Sequence, residues 1–368
     1  MPDKSYEAEL IRDSARRMFA SDYDLNFVRG LNEEPEKHGR KLLALIQDMG
    51  WQGLIVPEAH GGVGYGFNEL CCLLQEHGFA AMPPLFFANL VAPVLCLNEL
   101  PACDRKSELL TAIAGGQCIP CLSADSTTLQ AFCDSNSTQA EATDEGYALS
   151  GAVSNLVSAE FATMFFIPAR MRQRTLFFAV DANDAALQLT PHRDKSYGRT
   201  HELAFNSTRM DEHAVVCDDA GAALSRAYRL CAIAKSAELI GGAERAMQFA
   251  VEHIGTRKQF AKLLAEFQAV QHQAADMFKS IEVAKLFLRE AVEQVDAGQP
   301  FEMAAHNCKA WSNQANFQVT KTSHQLMGGT GYMMETDLHL FTLQGLRNAY
   351  EFGSTDHHKD MIATLLGL

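Results

Sequence analysis

Residues 257–277 read RKQFAKLLAEFQAVQHQAADM. Phe260, Leu263, Leu264, Phe267 and Val270 recur at helical spacing, which predicts a helix with a core-facing stripe. Val270, Ala274, Met277, Phe278, Ile281 and Ala284 continue that stripe, so the helix extends past the quoted stretch. Arg257 and Gln259 precede the first apolar turn. At a helix start, backbone N–H groups lack partners and the dipole favours anions. A guanidinium there can hold a phosphate through two parallel hydrogen bonds. The plain alternative is a solvated arginine at a helix end.

Working outward, everything from about residue 219 to the end carries long helical periodicity. Upstream the character changes. The runs EGYALSGAVSNLVSA, FATMFFIPARM, RTLFFAVDA and HELAFNST are short, aromatic and β-branched, with polar or Gly turns between them. Further upstream, AELIRDSARRMF, GRKLLALIQDMGW and NELCCLLQEHGFAA are helical again, with a Gly-rich break at EAHGGVGYGF. The expected architecture is therefore α+β and multidomain: an N-terminal helical domain over 1–115, a middle β-barrel or sandwich domain over 116–217, and a C-terminal four-helix bundle over 218–368.

The bulk numbers narrow the function classes. The 368 residues suffice for a large enzyme with a buried core. A net charge of −14 argues against nucleic acid as a partner, because counterion release needs clustered Lys and Arg. Any anionic ligand must then be met by local positive charge. Ten cysteines without a regular framework read as reduced thiols, which together with the absence of a basic-then-apolar leader predicts a cytoplasmic protein. The longest apolar stretch, Leu85–Val94, falls short of a bilayer span.

A second stretch, SHQLMGGTGYMMETDL over 323–338, places Gly328, Gly329 and Gly331 after a helical run. Glycines there permit close approach of backbone to a ligand, although such a cluster is usually a helix C-cap. The two stretches taken together closely resemble the C-terminal half of acyl-CoA dehydrogenases, and GWQGLIVPEAHGGVGYG (50–66) looks like that family's first domain. The helix–β–helix order matches as well. Within the family, the compact length and the ending FGSTDHHKD most resemble subunits of bacterial heteromeric enzymes that degrade steroid side chains.

The resemblance implies FAD as cofactor, an acyl-CoA substrate, a flavoprotein electron acceptor, and a homo- or hetero-tetramer. It assigns Arg257, with Gln259 beside it, to the pyrophosphate of a neighbouring subunit's FAD. It assigns Phe260 and Leu264 to packing on that cofactor, and Gln325, Gly328 and Gly329 to its adenosine and pyrophosphate side. Ser123, in CLSADSTTLQ, takes the place of a Thr that bonds the flavin.

Four departures bear on activity. Ala261 stands where the family usually has Gly. The Pro and Gly of the family's Thr-Glu-Pro-Gly loop are missing after Ser123. Asn155, Leu156 and Val157 replace a Trp-Ile-Thr, which removes a hydroxyl to the flavin unless Ser154 or Ser158 supplies one. The last departure concerns the base. The reaction removes a proton α to the thioester, and many members use a Glu just before a Gly-Thr. Here that place is Phe352, with Glu351 one residue early, a rotation of about 100° on a helix. A second family location falls near Cys231, which is no carboxylate; Glu238 and Glu244 lie further along and are expected at the surface. The catalytic residue is therefore unknown from this chain, and an unlike partner subunit is expected to supply it. The alternatives are a self-sufficient homotetramer using Glu351 and a flavin-free structural partner of a catalytic subunit.

The remaining motifs are read as structural. Cys118 and Cys121 have redox-motif spacing but lead into the β segment, so core packing is expected. His357 and His358 are expected to be solvated, with no metal site nearby, and Trp51 and Trp311 to be core.

Overall fold

The computed structural model describes residues 4–21, 23, 25–135, 137–192 and 199–368. Helices come first: α1 Lys4–Ser21, α2 Leu25–Glu33, α3 Pro35–Asp48, α4 Phe67–Phe79, α5 Ala92–Glu99 and α6 Asp104–Ala114. The β segment follows as β1 Pro120–Leu122, the short α7 Leu129–Asp134, then β2 Thr138–Thr143, β3 Gly146–Val157, β4 Met164–Met171, β5 Arg174–Asp181, β6 Gln188–His192, β7 Thr200–Met210 and β8 Val215–Cys217. The chain ends in α8 Gly221–Thr256, a hairpin of β9 Lys258–Gln259 and β10 Lys262–Leu263, α9 Gln268–Asp296, α10 Glu302–Met327, α11 Leu338–Tyr350 and α12 Thr355–Leu365. The expected order, helical then sheet then helical, is the observed one.

The strands form one mixed eight-stranded sheet in the order β6-β7-β3-β2-β4-β5-β8, with β1 parallel to β4. Leu149, Val153, Phe165, Ile167, Phe178, Leu203 and Phe205 belong to its core. The central strands β4 and β5 are buried almost throughout, so their continuous apolar runs mark strands covered on both faces.

The chain divides into two compact units. One holds Arg29–Gly66 and Pro83–Cys231, and therefore the sheet. The other joins Met1–Val28, Phe67–Met82 and Ala232–Leu368. Of α8, the residues up to Cys231 belong to the first unit and those from Ala232 to the second. The 36 residues of this helix span about 54 Å at 1.5 Å per residue. It contains no proline, and its alanine-rich middle is almost wholly buried. α4 approaches α8 so closely that a Cβ on Gly241 would lie 1.9 Å from the Gln75 carbonyl oxygen.

The opening stretch folds otherwise than its periodicity suggests. No helix starts at Arg257: α8 ends at Thr256 and α9 begins only at Gln268. Between them Gln259 pairs with Lys262 across a two-residue turn, Phe260-Ala261, with φ of +55° and +66°. Two consecutive left-handed residues make the hairpin turn whose twist suits antiparallel strands. The expected core stripe is interrupted accordingly: Phe260 is 89 % exposed, and on α9 Phe278 faces solvent while Met277, Ile281 and Ala284 are buried.

Candidate functional site

Arg257 sits at the C-terminal end of α8, where its N–H donates to the His253 carbonyl at 2.9 Å and its own carbonyl accepts from the Leu264 N–H at 2.9 Å. This corrects the expectation of free N–H groups around it: the local dipole is negative, which suits the guanidinium itself. Arg257 is exposed, and its guanidinium pairs with no carboxylate among the described residues. Gln259 is exposed and its side chain donates to the Lys258 carbonyl. Phe260 touches Phe267 edge-on with centroids 6.3 Å apart, and the Lys262 ammonium lies 4.0 Å over the Phe267 ring. Leu264 is half-buried. Four of the singled-out residues thus lie on one short hairpin or directly flank it.

Gln325, Gly328 and Gly329 lie together at the end of α10. Gly328 caps the helix at φ 58°, ψ −140°, a conformation open essentially to glycine alone, and its N–H donates to the Gln325 carbonyl. A Cβ on Gly328 or Gly329 would meet nothing within 4 Å, so the backbone there is open to a ligand. His324 steadies the following turn through the Gly331 carbonyl and the Thr342 hydroxyl, both at 2.8 Å. Beyond it Tyr332, Met333 and Met334 are exposed.

Ser123 belongs to the sheet unit. It follows β1, its N–H donates to the Phe166 carbonyl at 2.8 Å, and its fully buried hydroxyl has no partner among the described residues. A buried hydroxyl without an acceptor is costly and points to a missing partner. At the end of β3, Ser154 is committed to Glu202 at 2.8 Å. Asn155 and Ser158 both hold positive φ, and Val157 between them has no hydroxyl to offer.

The residues around Glu351 form an ion network. Glu351 is not free: its carboxylate lies 2.9 Å from the Lys235 ammonium. Lys235 is fully buried and also binds Glu238 at 2.8 Å and the Asn348 side-chain oxygen at 3.2 Å. Burial pulls Lys235 down, but the two carboxylates outweigh it and leave the ammonium above its ordinary value. Burial lifts Glu238 above the usual carboxylate range despite Lys235. The expectation that Glu238 lies at the surface is thus wrong. It is 4 % exposed because Lys235, one turn earlier on α8, neutralises it inside the fold. Glu244 is partly exposed and pairs with Lys285 at 2.6 Å.

A second buried lysine lies next to this network. Lys309, on α10, donates to Asn313 Oδ1 at 2.8 Å and to the carbonyls of Asn348 at 2.8 Å, Gly353 at 3.2 Å and Ala349 at 3.3 Å. Burial, helped by the charge of Lys235, brings it down to about 7. His358 is fully buried, not solvated. Its Nε2 meets the Phe352 carbonyl at 2.8 Å and its Nδ1 meets His306 Nδ1 at 2.8 Å. A carbonyl only accepts, so His358 carries its proton on Nε2 and accepts from His306. Lys235 and Lys309 were missed in the sequence reading. The available signal was a lone lysine inside an apolar helical run, LCAIAKSAELI and AAHNCKAW.

Other readings are settled by burial. Cys118 and Cys121 are buried, their thiols pushed up to about 11 and about 12, as packing residues would be. Trp51 is core, but Trp311 is 36 % exposed. Among the described residues no group of His, Cys, Asp and Glu has the makings of a metal site, and no helix is long and apolar enough to cross a membrane.

Comparison with known proteins gives consistent matches. Residues 5–117 match the family model "Acyl-CoA dehydrogenase, N-terminal domain" and residues 227–366 match "Acyl-CoA dehydrogenase, C-terminal domain". The acyl-CoA dehydrogenase FadE27 of Mycobacterium tuberculosis is 24% identical over 336 residues, covering 88% of this chain and 87% of its own. Solved structures that share the fold include the following two. One is the ChsE4-ChsE5 complex from Mycobacterium tuberculosis, with a TM-score of 0.87 and 22% identity over 98% of this chain and 97% of that one. The other is PigA with FAD and proline, with a TM-score of 0.89 and 21% identity over 98% and 97%.

Proposed function

The chain belongs to the acyl-CoA dehydrogenase family, and from that premise we propose that it is an FAD-dependent subunit of a heteromeric enzyme whose catalytic carboxylate comes from an unlike partner. The family consists of oxidoreductases acting on CH–CH donors. In α,β-dehydrogenation a base takes a proton from the α carbon while the β hydrogen leaves as hydride, and bound FAD supplies the hydride acceptor. The observation that carries the reading is the Lys235–Glu351 pair. A carboxylate held at 2.9 Å by a buried ammonium, itself shared with Glu238, is not poised to receive a substrate proton.

The cofactor's place is supported by three features that fit a dinucleotide. Arg257 has an uncommitted guanidinium, Gly328 and Gly329 leave open space above their backbone, and the Ser123 hydroxyl is buried without a partner. In this reading Arg257 holds the diphosphate of a neighbouring subunit's FAD, flanked by Gln259. Phe260 and Leu264 pack on the cofactor, Gln325 with Gly328 and Gly329 borders its adenosine side, and Ser123 bonds the ring. A division into 1–115, 116–217 and 218–368 belongs to the same reading, supported by a sheet that runs from Pro120 to Cys217. So do a CoA thioester with a bulky polycyclic acyl group as substrate, a tetrameric assembly, a flavoprotein electron acceptor and a cytoplasmic location.

The test is to purify the chain alone and co-expressed with a neighbouring dehydrogenase chain, then measure bound flavin per chain and turnover. The expected result is flavin and turnover only in the mixed complex, with turnover unchanged by Glu351→Gln. Full turnover from the lone chain overturns the reading, as does loss of turnover in the Glu351→Gln complex. A colourless complex that still turns over overturns the flavin assignment.

A further inference from the structure

The four residues 351–354 join α11 to α12 in a conformation that the chain does not favour by itself. Phe352 has φ +54° and Gly353 φ +98°. A bulky side chain in the left-handed region is strained and persists only where its surroundings over-determine it. The surroundings here are buried nitrogen groups from three helices. Lys235 of α8 holds the Glu351 carboxylate, His358 of α12 donates to the Phe352 carbonyl, and Lys309 of α10 donates to the Gly353 carbonyl. Lys309 goes furthest, because it also takes the Asn348 and Ala349 carbonyls, the free end of α11. Asn313 backs it by donating to the Ala349 and Gly353 carbonyls at 3.1 and 3.3 Å. None of the four oxygens on Lys309 is a carboxylate, so the ammonium is buried among dipoles without a contacting counter-ion.

We propose that Lys309 is a positioning residue: it latches the 351–354 turn and so fixes where Glu351 and Phe352 sit. The functional weight of that placement rests on the reading above, in which Glu351 is held by Lys235 and an unlike partner supplies the base. The latch itself stands on geometry and has a signature that inert packing lacks. Closed, Lys309 titrates at about 7; opened to solvent, it returns towards the ordinary lysine value near 10.4. The open state therefore binds more protons between those limits, and rising pH favours the closed turn. Among the groups that face it, the Glu351 carboxylate opposes the lowering, Lys235 is raised and Cys308 is pushed up to about 12. His358 is held near 2, and His357 lies below the ordinary histidine value. Of these, the lysine, the thiol and the two histidines do not change charge between pH 7 and 9.

The experiment is hydrogen exchange of the flavin-free chain, read on a peptide covering 345–356, from pH 6 to 9 after correction for intrinsic rates. In the wild type, protection is expected to be flat below about pH 7 and to rise about tenfold per pH unit above it. Lys309→Met should remove that slope, while protection in α8 stays. A flat wild-type profile overturns the proposal even if the variant does not fold, and a slope that survives in Lys309→Met also overturns it. Flavin content is measured in parallel on the mixed complex. Its absence from the wild-type complex would sink the cofactor reading and leave the latch standing.

Discussion

Glu351 lies one residue from the place where the family's base is expected, and the surrounding side chains decide what it can do. A carboxylate serves as a base when it is within reach of the proton, and a bonded cation makes it a weaker one. Lys235 keeps this one bonded, and Glu238 with Asn348 keeps Lys235 in place. Removing the cation alone leaves Glu238 buried without its charge partner, which typically costs about 3–5 kcal/mol. Lys235→Met should therefore lower the denaturant midpoint by a corresponding amount. The double variant Lys235→Met with Glu238→Leu should recover much of that loss, since replacing both members of a buried pair by apolar groups is often neutral. A Lys235→Met chain as stable as wild type would show that the network contributes little.

At the scale of elements, the sequence was readable where one physical pattern dominated and misleading where two overlapped. The strands β4 and β5 stood out as buried β-branched and aromatic runs, and α8 and α10 as long periodic segments. The hairpin after Arg257 did not stand out. Its strands are two residues each, and its turn is Phe260-Ala261 rather than the Asn-Gly that usually announces left-handed φ. Phe260 and Leu264 meanwhile fall at helical spacing by chance. Of the eight residues singled out as cofactor contacts, the structure gathers two local groups and leaves Ser123 in the other unit. The buried network stayed hidden because the depth at which Lys235 and Glu238 pack on α8 is a property of tertiary contact. Tertiary contact also explains Gly78 of α4 and Gly241 of α8. A methyl group at Gly241 would collide with the Gln75 carbonyl, which is backbone and cannot rotate away. Gly241→Ala should thus destabilise the protein by about 1–3 kcal/mol through a lower melting temperature, despite alanine's better helix propensity. An unchanged or raised melting temperature would mean that the two helices separate without cost.

For the molecule as a whole, the distribution of exposed apolar side chains bears most directly on assembly. The large exposed hydrophobics concentrate in Ala232–Leu368, where Phe260, Phe278, Phe317, Tyr332, Met334 and Tyr350 are each more than half exposed. A chain of net charge −14 has ample polar surface for solubility, and in the reading proposed above these apolar groups are surface that a neighbouring subunit would cover. Single exposed hydrophobics are ordinary; it is the concentration that carries the argument. Met333 and Met334, 50 % and 68 % exposed and directly beyond the open glycines, report on it chemically. Peroxide converts accessible methionine to sulfoxide, and burial slows the reaction. In the lone chain both should oxidise readily, and in the mixed complex their oxidation should slow by an order of magnitude or more, as read by peptide mass spectrometry. Met18 and Met277, buried within the chain, serve as internal controls that change in neither sample. Equal oxidation of Met333 and Met334 in both samples would mean that the partner does not cover this surface, and the apolar cluster would then need an occupant other than a dehydrogenase subunit.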